Sequence, residues 1–139
     1  MIKEFRGEFR WLSNFTQCVV KLDGISYPST ENAYQAAKTV LIEERIQFET
    51  ITAGQAKRAG RKVTMRDGWD LVKVPIMRDL TLQKYSREPF KSKLLATGTQ
   101  EIQEGNSWGD TFWGICKGKG ENHLGMIIMY VREELKKGG

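Results

Sequence analysis

The chain has 139 residues, 40% of them hydrophobic and 28% charged, and its 22 Lys and Arg against 17 Asp and Glu leave a net charge of +5. That length suits one domain, which can bury roughly 68–70% of its unfolded surface, and the balance excludes disordered, collagen-like and fibrous classes. No stretch holds the ~18 apolar residues of a membrane span, and MIKEFRGEFR carries charges where a secretory leader needs an apolar run, so a cytoplasmic protein without membrane contact is expected.

In chain order, TQCVVKLDGISYPS reads as a hairpin, two β-favouring runs flanking Asp23-Gly24, a dipeptide suited to a tight primed turn, with Pro28 closing it. STENAYQAAKTVL follows, with Ser29 or Thr30 as helix cap and Ala33, Tyr34, Ala37 and Leu41 at helical spacing. A second helical piece is expected over Glu43–Ile51. Thr52 then caps AGQAKRAG, which Gly60 ends. In RDGWDLVKVPIMRDLTLQKYSREPF, Pro75 predicts a break near Val74 and the start of a new helix. Pro89 opens PFKSKLLATG and Gly98 stops it. NHLGMIIMYVREELKK closes the series as a helix with Asn122 as cap and an apolar stripe of Leu124, Ile127, Ile128, Val131 and Leu135. Strands are expected mainly near the front, with no alternating strand-helix series for a doubly wound sheet. The fold class is therefore α+β: one domain over 1–139, predominantly helical, with a small N-terminal β-hairpin or sheet.

The chemistry is bounded by counting. His123 is the one histidine, and Cys18 and Cys116 lie far apart without CxxC spacing, so no metal site, disulfide framework or histidine-based triad is expected, and no cofactor. Carboxylates must carry any acid–base work. Glu31 falls in the first turn after a Ser/Thr cap, with Gln35 and Lys38 on its face; helix-start preference and catalysis both account for it. In EGNSWGDTFWGIC, Asp110 follows Gly109 on backbone able to approach a ligand closely. Trp113 offers a flat face for stacking, whereas Trp108, Phe112 and Ile115 read as core packing. The basic run KRAGRKVTMR from Lys57 to Arg66 is a phosphate site or a solvated face, and the positive balance favours anionic partners such as nucleotides, phosphosugars or nucleic acid. Gly118 and Gly120 form a short GxG before the last helix, a turn signal that also suits an anion.

Seven blocks in order, FRGEFRWLSNF, YPSTENAYQAAK, AKRAGRKVTMRDGWD, VPIM, LLATG, EGNSWGDTFWGIC and ENHLGMIIMYVREEL, closely resemble the NADAR (NAD- and ADP-ribose-associated) or YbiA-like N-glycosidase family. The resemblance implies a helix-rich α+β fold and hydrolysis of a ribosyl C–N bond. It also implies an anionic riboside as substrate: a phosphoribosylaminopyrimidine intermediate of riboflavin synthesis, or an ADP-ribosylated base such as ADP-ribosyl-guanine, with DNA as one carrier. By the same likeness Glu31 is the family's glutamate in the S/T-x-E-x-x-x-Q block, Trp69 its tryptophan after the GR…R block, Asp110 and Trp113 its WGD…WG acid and ring, and Asn14 and Asn122 sugar or phosphate contacts. In the mechanism this implies, Glu31 steadies an oxocarbenium-like sugar, Asp110 handles the attacking water or the departing base, Trp69 and Trp113 stack on that base, and Arg61 or Lys57 meets phosphate. One departure stands out: Asn32 takes the place of a histidine found beside the glutamate in many relatives. It leaves room for a non-catalytic ADP-ribose- or nucleotide-binding module as the rival reading, with plain nucleic-acid binding behind it.

Overall fold

The structure, a computed structural model, describes residues 1–138. They are α+β and predominantly helical, and they form two compact units, one of residues 14–84 and one of residues 1–13 with 85–138. Among the described residues no helix is long and apolar enough to cross a membrane.

The Asn14–Lys84 unit begins with the predicted hairpin, β2 (Gln17–Leu22) and β3 (Ile25–Ser29), paired antiparallel. At its turn Asp23 and Gly24 both take positive φ, 50° and 81°, the primed geometry that matches the strands' twist. Arg45, itself 3% exposed, clasps this turn through Nη1 to Asp23 Oδ2 at 2.7 Å, while its Nε donates to the Thr39 carbonyl. Helix α1 (Thr30–Ala37) follows at once, with the Ser29 hydroxyl accepting from Asn32 N. Leu41, expected on its stripe, lies beyond the helix and is exposed.

All eight residues of α1 are buried, and the helix lies against β2, β3, α2 (Ile42–Arg45), the 3-10 turn Ile46–Glu49 and α3 (Ala53–Ala59). Ala33, Ala36 and Ala37 let these neighbours come close. A segment of eight residues is too short to hold a helix alone, so its stability comes from this enclosure. The enclosure obliges each polar side chain to find a partner. Asn32, fully buried, finds three: its Nδ2 donates to the carbonyls of Phe48 (2.9 Å) and Ile51 (2.8 Å), and its Oδ1 accepts from the Ser29 hydroxyl (2.6 Å). Asn32 is thus a tie between α1 and the segment leading to α3.

Thr52 and Gln55 complete the capping box of α3. Gly60 ends that helix as expected, but its φ of −61° is an ordinary helical value. Its need for no side chain comes from Gln35, whose Cδ lies 2.7 Å from where a Cβ would stand. The break predicted at Pro75 is absent: α4 runs unbroken from Trp69 to Tyr85. The carbonyl that loses its donor to Pro75 belongs to Leu71, on a turn where that residue is 83% exposed, so solvent can replace the missing N–H.

Three of the five strands among the described residues lie within the first 29 residues, as expected, and the other unit adds two that the sequence did not announce. It holds a three-stranded sheet in the order β1-β4-β5, with β1 (Ile2–Glu4), β4 (Ile102–Asn106) and β5 (Ile115–Cys116) all parallel. Ile2 pairs with Ile102, a hundred residues away, which no local pattern announces. The terminal helix α6 (His123–Gly138) covers β4 with Leu124, Ile127, Ile128 and Val131 buried, and α5 (Phe90–Ala96) packs beside it. Gly98 ends α5 with φ 66°, as its sequence position predicts. Arg132 bridges these helices, donating to Thr97 Oγ1 and the Gln100 carbonyl.

Two outcomes follow from this packing. Asn32→Ala leaves the Phe48 and Ile51 carbonyls without their donor and should destabilise the protein by about 2–4 kcal/mol, lowering Tm by on the order of 10 °C in a calorimetric scan. Lys84 is 1% exposed, and burial lowers its amine to about 7. Between that value and 10.5 the unfolded chain holds a proton that the folded chain lacks, so stability should rise with pH across this window and be flat in this respect below it. In denaturant titrations at several pH values above neutrality, the wild type should gain relative to Lys84→Met by about 1 kcal/mol per pH unit; parallel curves would show that burial does not govern this amine.

Candidate functional site

Glu31 is the second residue of α1. Its carboxylate lies in the first turn, where the orphan N–H groups of a helix start favour negative charge. Its own N–H donates to the Asn14 carbonyl at 3.1 Å, so the residues before the hairpin are tied to the helix start. The Asn14 side chain turns the other way, to Met77 Sδ at 3.6 Å. Glu31 is 9% exposed, and from one turn further on Gln35 Nε2 donates to its Oε2 at 2.7 Å.

Lys38, a second turn on, is half-buried, with its ammonium 5.6 Å from the centre of the Tyr34 ring. Burial holds this amine below the usual lysine value; the Glu31 charge acts against that shift, and Arg61 and Lys73 add to it. Glu31, Arg61 and Lys73 are therefore all within electrostatic range of one amine. Tyr34 in turn meets Trp69, with ring centres 5.3 Å apart and planes tilted by 53°. Of the sequence-predicted residues, the Asn14–Lys84 unit thus brings together Glu31, Trp69, Arg61 and the Asn14 backbone. Lys57 lies on α3, half-buried, three residues before Gly60.

Asp110, Trp113 and Asn122 belong to the other unit and form a cluster of their own. Asp110 Oδ1 accepts from the N–H groups of Phe112 (3.1 Å) and Trp113 (2.9 Å), so this acid shapes the turn that carries the ring. Asn106 braces the same loop: its Oδ1 accepts from Asp110 N, and its Nδ2 donates to the Asp110 carbonyl and to Glu104 Oε2. Trp113 stands edge-on to Phe112 at 4.9 Å, and Phe112 stacks on His123 at 4.3 Å. Asn122 was read as a helix cap and a sugar or phosphate contact. Its amide accepts from Glu104 N at 2.9 Å and donates to the Ile102 carbonyl at 3.0 Å, so it binds the edge of β4 to the start of α6. Trp108, by contrast, is 55% exposed, against the core role weighed for it. Among the described residues no group of three or more His, Cys, Asp or Glu could hold a metal ion.

Sequence reasoning placed Gln35 and Lys38 on the face of Glu31 without giving either a role. It missed Tyr34 as the ring beneath Lys38, Lys73 as a further cation, and Asn106 as the brace of the Asp110 loop. The spacing of four and seven residues was a usable signal for the first two; Lys73 and Asn106 gave none, because their neighbours are set by packing.

Residues 3–136 match the profile of the NADAR domain. Over 132 residues the chain is 36% identical to an N-glycosidase of Nostoc punctiforme, with 89% of this chain and 84% of that protein covered. It is 32% identical to N-glycosidase YbiA of Escherichia coli over 134 residues, 93% of this chain and 81% of that one. A riboflavin biosynthesis protein of Vibrio vulnificus is 38% identical over 133 residues, which are 91% of this chain but 36% of the longer relative. The solved NMR structure of E. coli YbiA superposes with a TM-score of 0.86 at 29% identity, over 99% of this chain and 84% of that one. The fold, the order of the sequence blocks and these likenesses agree, and the chain belongs to the NADAR domain family.

Proposed function

We propose that the chain is an N-glycosidase that hydrolyses the C–N bond joining ribose to a base or amine in an anionic riboside. The observation that carries this reading is the setting of Glu31: a buried acid at a helix start that accepts from the Gln35 amide and acts on Lys38, whose ammonium lies over Tyr34, the ring that meets Trp69. Relatives named as N-glycosidases support the class of reaction.

When the bond breaks, its electron pair leaves with the base nitrogen and positive charge develops at C1 and the ring oxygen of the sugar. A fixed carboxylate lowers the energy of that cation more than that of the neutral riboside, which is what accelerates the step. Water then adds to C1, and its proton balances the one taken up by the departing base. Trp69 and Tyr34 offer flat faces for the base or sugar. Lys38, Arg61, Lys73 and Lys57 provide cations for phosphate, with Arg61 able to engage it in a bidentate fashion.

Asp110 and Trp113 enter this reading from the family likeness. That likeness gives the acid the attacking water or the departing base and the ring a face for the base; in the structure Asp110 Oδ1 accepts from the Phe112 and Trp113 N–H groups. The two substrate groups are a phosphoribosylaminopyrimidine, to which the riboflavin-related name of the Vibrio relative adds weight, and an ADP-ribosylated base, free or on DNA. The rival reading, a non-catalytic binding module, drew on Asn32, whose side chain is engaged by Ser29, Phe48 and Ile51.

Incubation with each riboside, followed by chromatography with mass detection, should yield free base or amine together with the ribosyl product. A riboside bound tightly but recovered intact would establish the binding module instead. Glu31→Gln, which keeps a polar side chain of the same size, should retain the melting temperature within a few degrees and lose about three orders of magnitude in kcat. Hydrolysis by that variant at the wild-type rate would remove Glu31 from the mechanism.

A further inference from the structure

Gln35 is 5% exposed, and its amide is used on one side only. Nε2 donates to Glu31 Oε2 at 2.7 Å, whereas Oε1 is shielded from solvent and has no hydrogen-bond partner in the structure. Leaving a buried acceptor unpaired costs about 1–3 kcal/mol, so something must hold the amide in this sense. Rotation by half a turn would set Oε1 against an ionised carboxylate, two acceptors facing each other with no proton between them. A hydrogen bond to a charged acceptor is roughly twice as strong as a neutral one, which offsets the unpaired oxygen. The volume for this arrangement is kept open by Gly60, where any Cβ would overlap the amide.

We propose that Gln35 is the positioning residue of the reaction: lodged against Gly60, it fixes one oxygen of Glu31 so that the carboxylate meets the ribosyl cation in a single orientation. The proposal rests on the N-glycosidase reading for its consequence and on the Glu31–Gln35–Gly60 packing for its cause. Gln35 is neutral, so its replacement leaves in place Lys38 on α1, on which the Glu31 charge acts, and Arg61 beyond α3 and Lys73 on α4, which act on Lys38 in turn. Any change in the behaviour of Glu31 is then assignable to the lost amide.

The test is Gln35→Leu in the full chain, read in two ways. In the ligand-free protein, the titration of the Glu31 carboxyl carbon, followed by NMR, should move to higher pH by roughly one unit, because the donor that favoured the charged form is gone. In turnover, kcat should fall about 10- to 100-fold with KM within about threefold, and the acid limb of the pH–rate profile should move up with the NMR midpoint. A folded Gln35→Leu whose Glu31 titration and acid limb coincide with the wild type overturns the proposal, even if its Tm is lower. Should that variant fail to fold, Gln35→Glu places a second carboxyl against the first, and the pair must share a proton; a new titration step towards neutral pH is expected, and its absence also overturns the proposal. Should the titration move as expected while the wild type cleaves neither riboside, the N-glycosidase reading falls and the structural pairing stands.

Discussion

The structure around Glu31 depends on one requirement: a carboxylate carried by a fully enclosed helix must be matched by groups that cannot move away. The Gln35 amide, the open N–H groups at the start of α1 and the Lys38 ammonium meet it in different ways, through a directed hydrogen bond, a fixed dipole and a screened charge. The amide has the least freedom, since Gly60 leaves it one place to stand. That constraint extends outward. Asn32 ties the same helix to the Phe48 and Ile51 carbonyls, and the Asn14 carbonyl takes up the Glu31 N–H, so the backbone bearing the acid is held from several sides. Such support is what a site needs if its charge is to be in place before the sugar ionises, rather than to reorient as it does.

The Asp110 segment solves a different problem. It links two short parallel strands through a glycine-rich loop, and little of that backbone has a ladder partner. The carbonyls of Thr111, Phe112, Trp113 and Gly114 accept from the N–H groups of Glu121, His123, Leu124 and Asn122, and side chains supply further partners: Asp110 for Phe112 and Trp113, Asn106 for Asp110, and Asn122 for Glu104 and Ile102. Its wealth of Asn, Asp and Gly is largely the means of building the loop, and its rings pack on one another and on His123. A residue in such a loop can be indispensable to the fold and still present an atom to a ligand. Asp110 has its turn-forming bonds on Oδ1, whereas both ends of the Asn122 amide are engaged by β4.

Much of the local structure was legible. The Asp23-Gly24 turn, the Ser29 and Thr52 caps, the Gly98 stop and the stripe of α6 are encoded by residues within a few positions of one another, where sterics and backbone hydrogen bonding act directly. Pro75 was misread because its penalty depends on what surrounds the carbonyl left without a donor, and the exposure of Leu71 answers that only in three dimensions. Gly60 was read as a conformational stop when it is a matter of space. For the site, Glu31 and its companions at four and seven residues were visible as one helix face, while the partners from other segments were not.

The sequence by itself determined the turn of the hairpin, the starts of α1 and α3, the apolar stripe of α6 and that an acid stands at the start of α1, because those outcomes follow from neighbours along the backbone. Tertiary structure alone decided that Ile2 would pair with Ile102, that Asn32 and Asn122 would spend their amides on distant carbonyls, and that Gln35 would be pressed against Glu31 by a glycine twenty-five residues further along the chain. Their partners are chosen by which surfaces exclude water together, and that is a property of the packed chain rather than of any stretch of it.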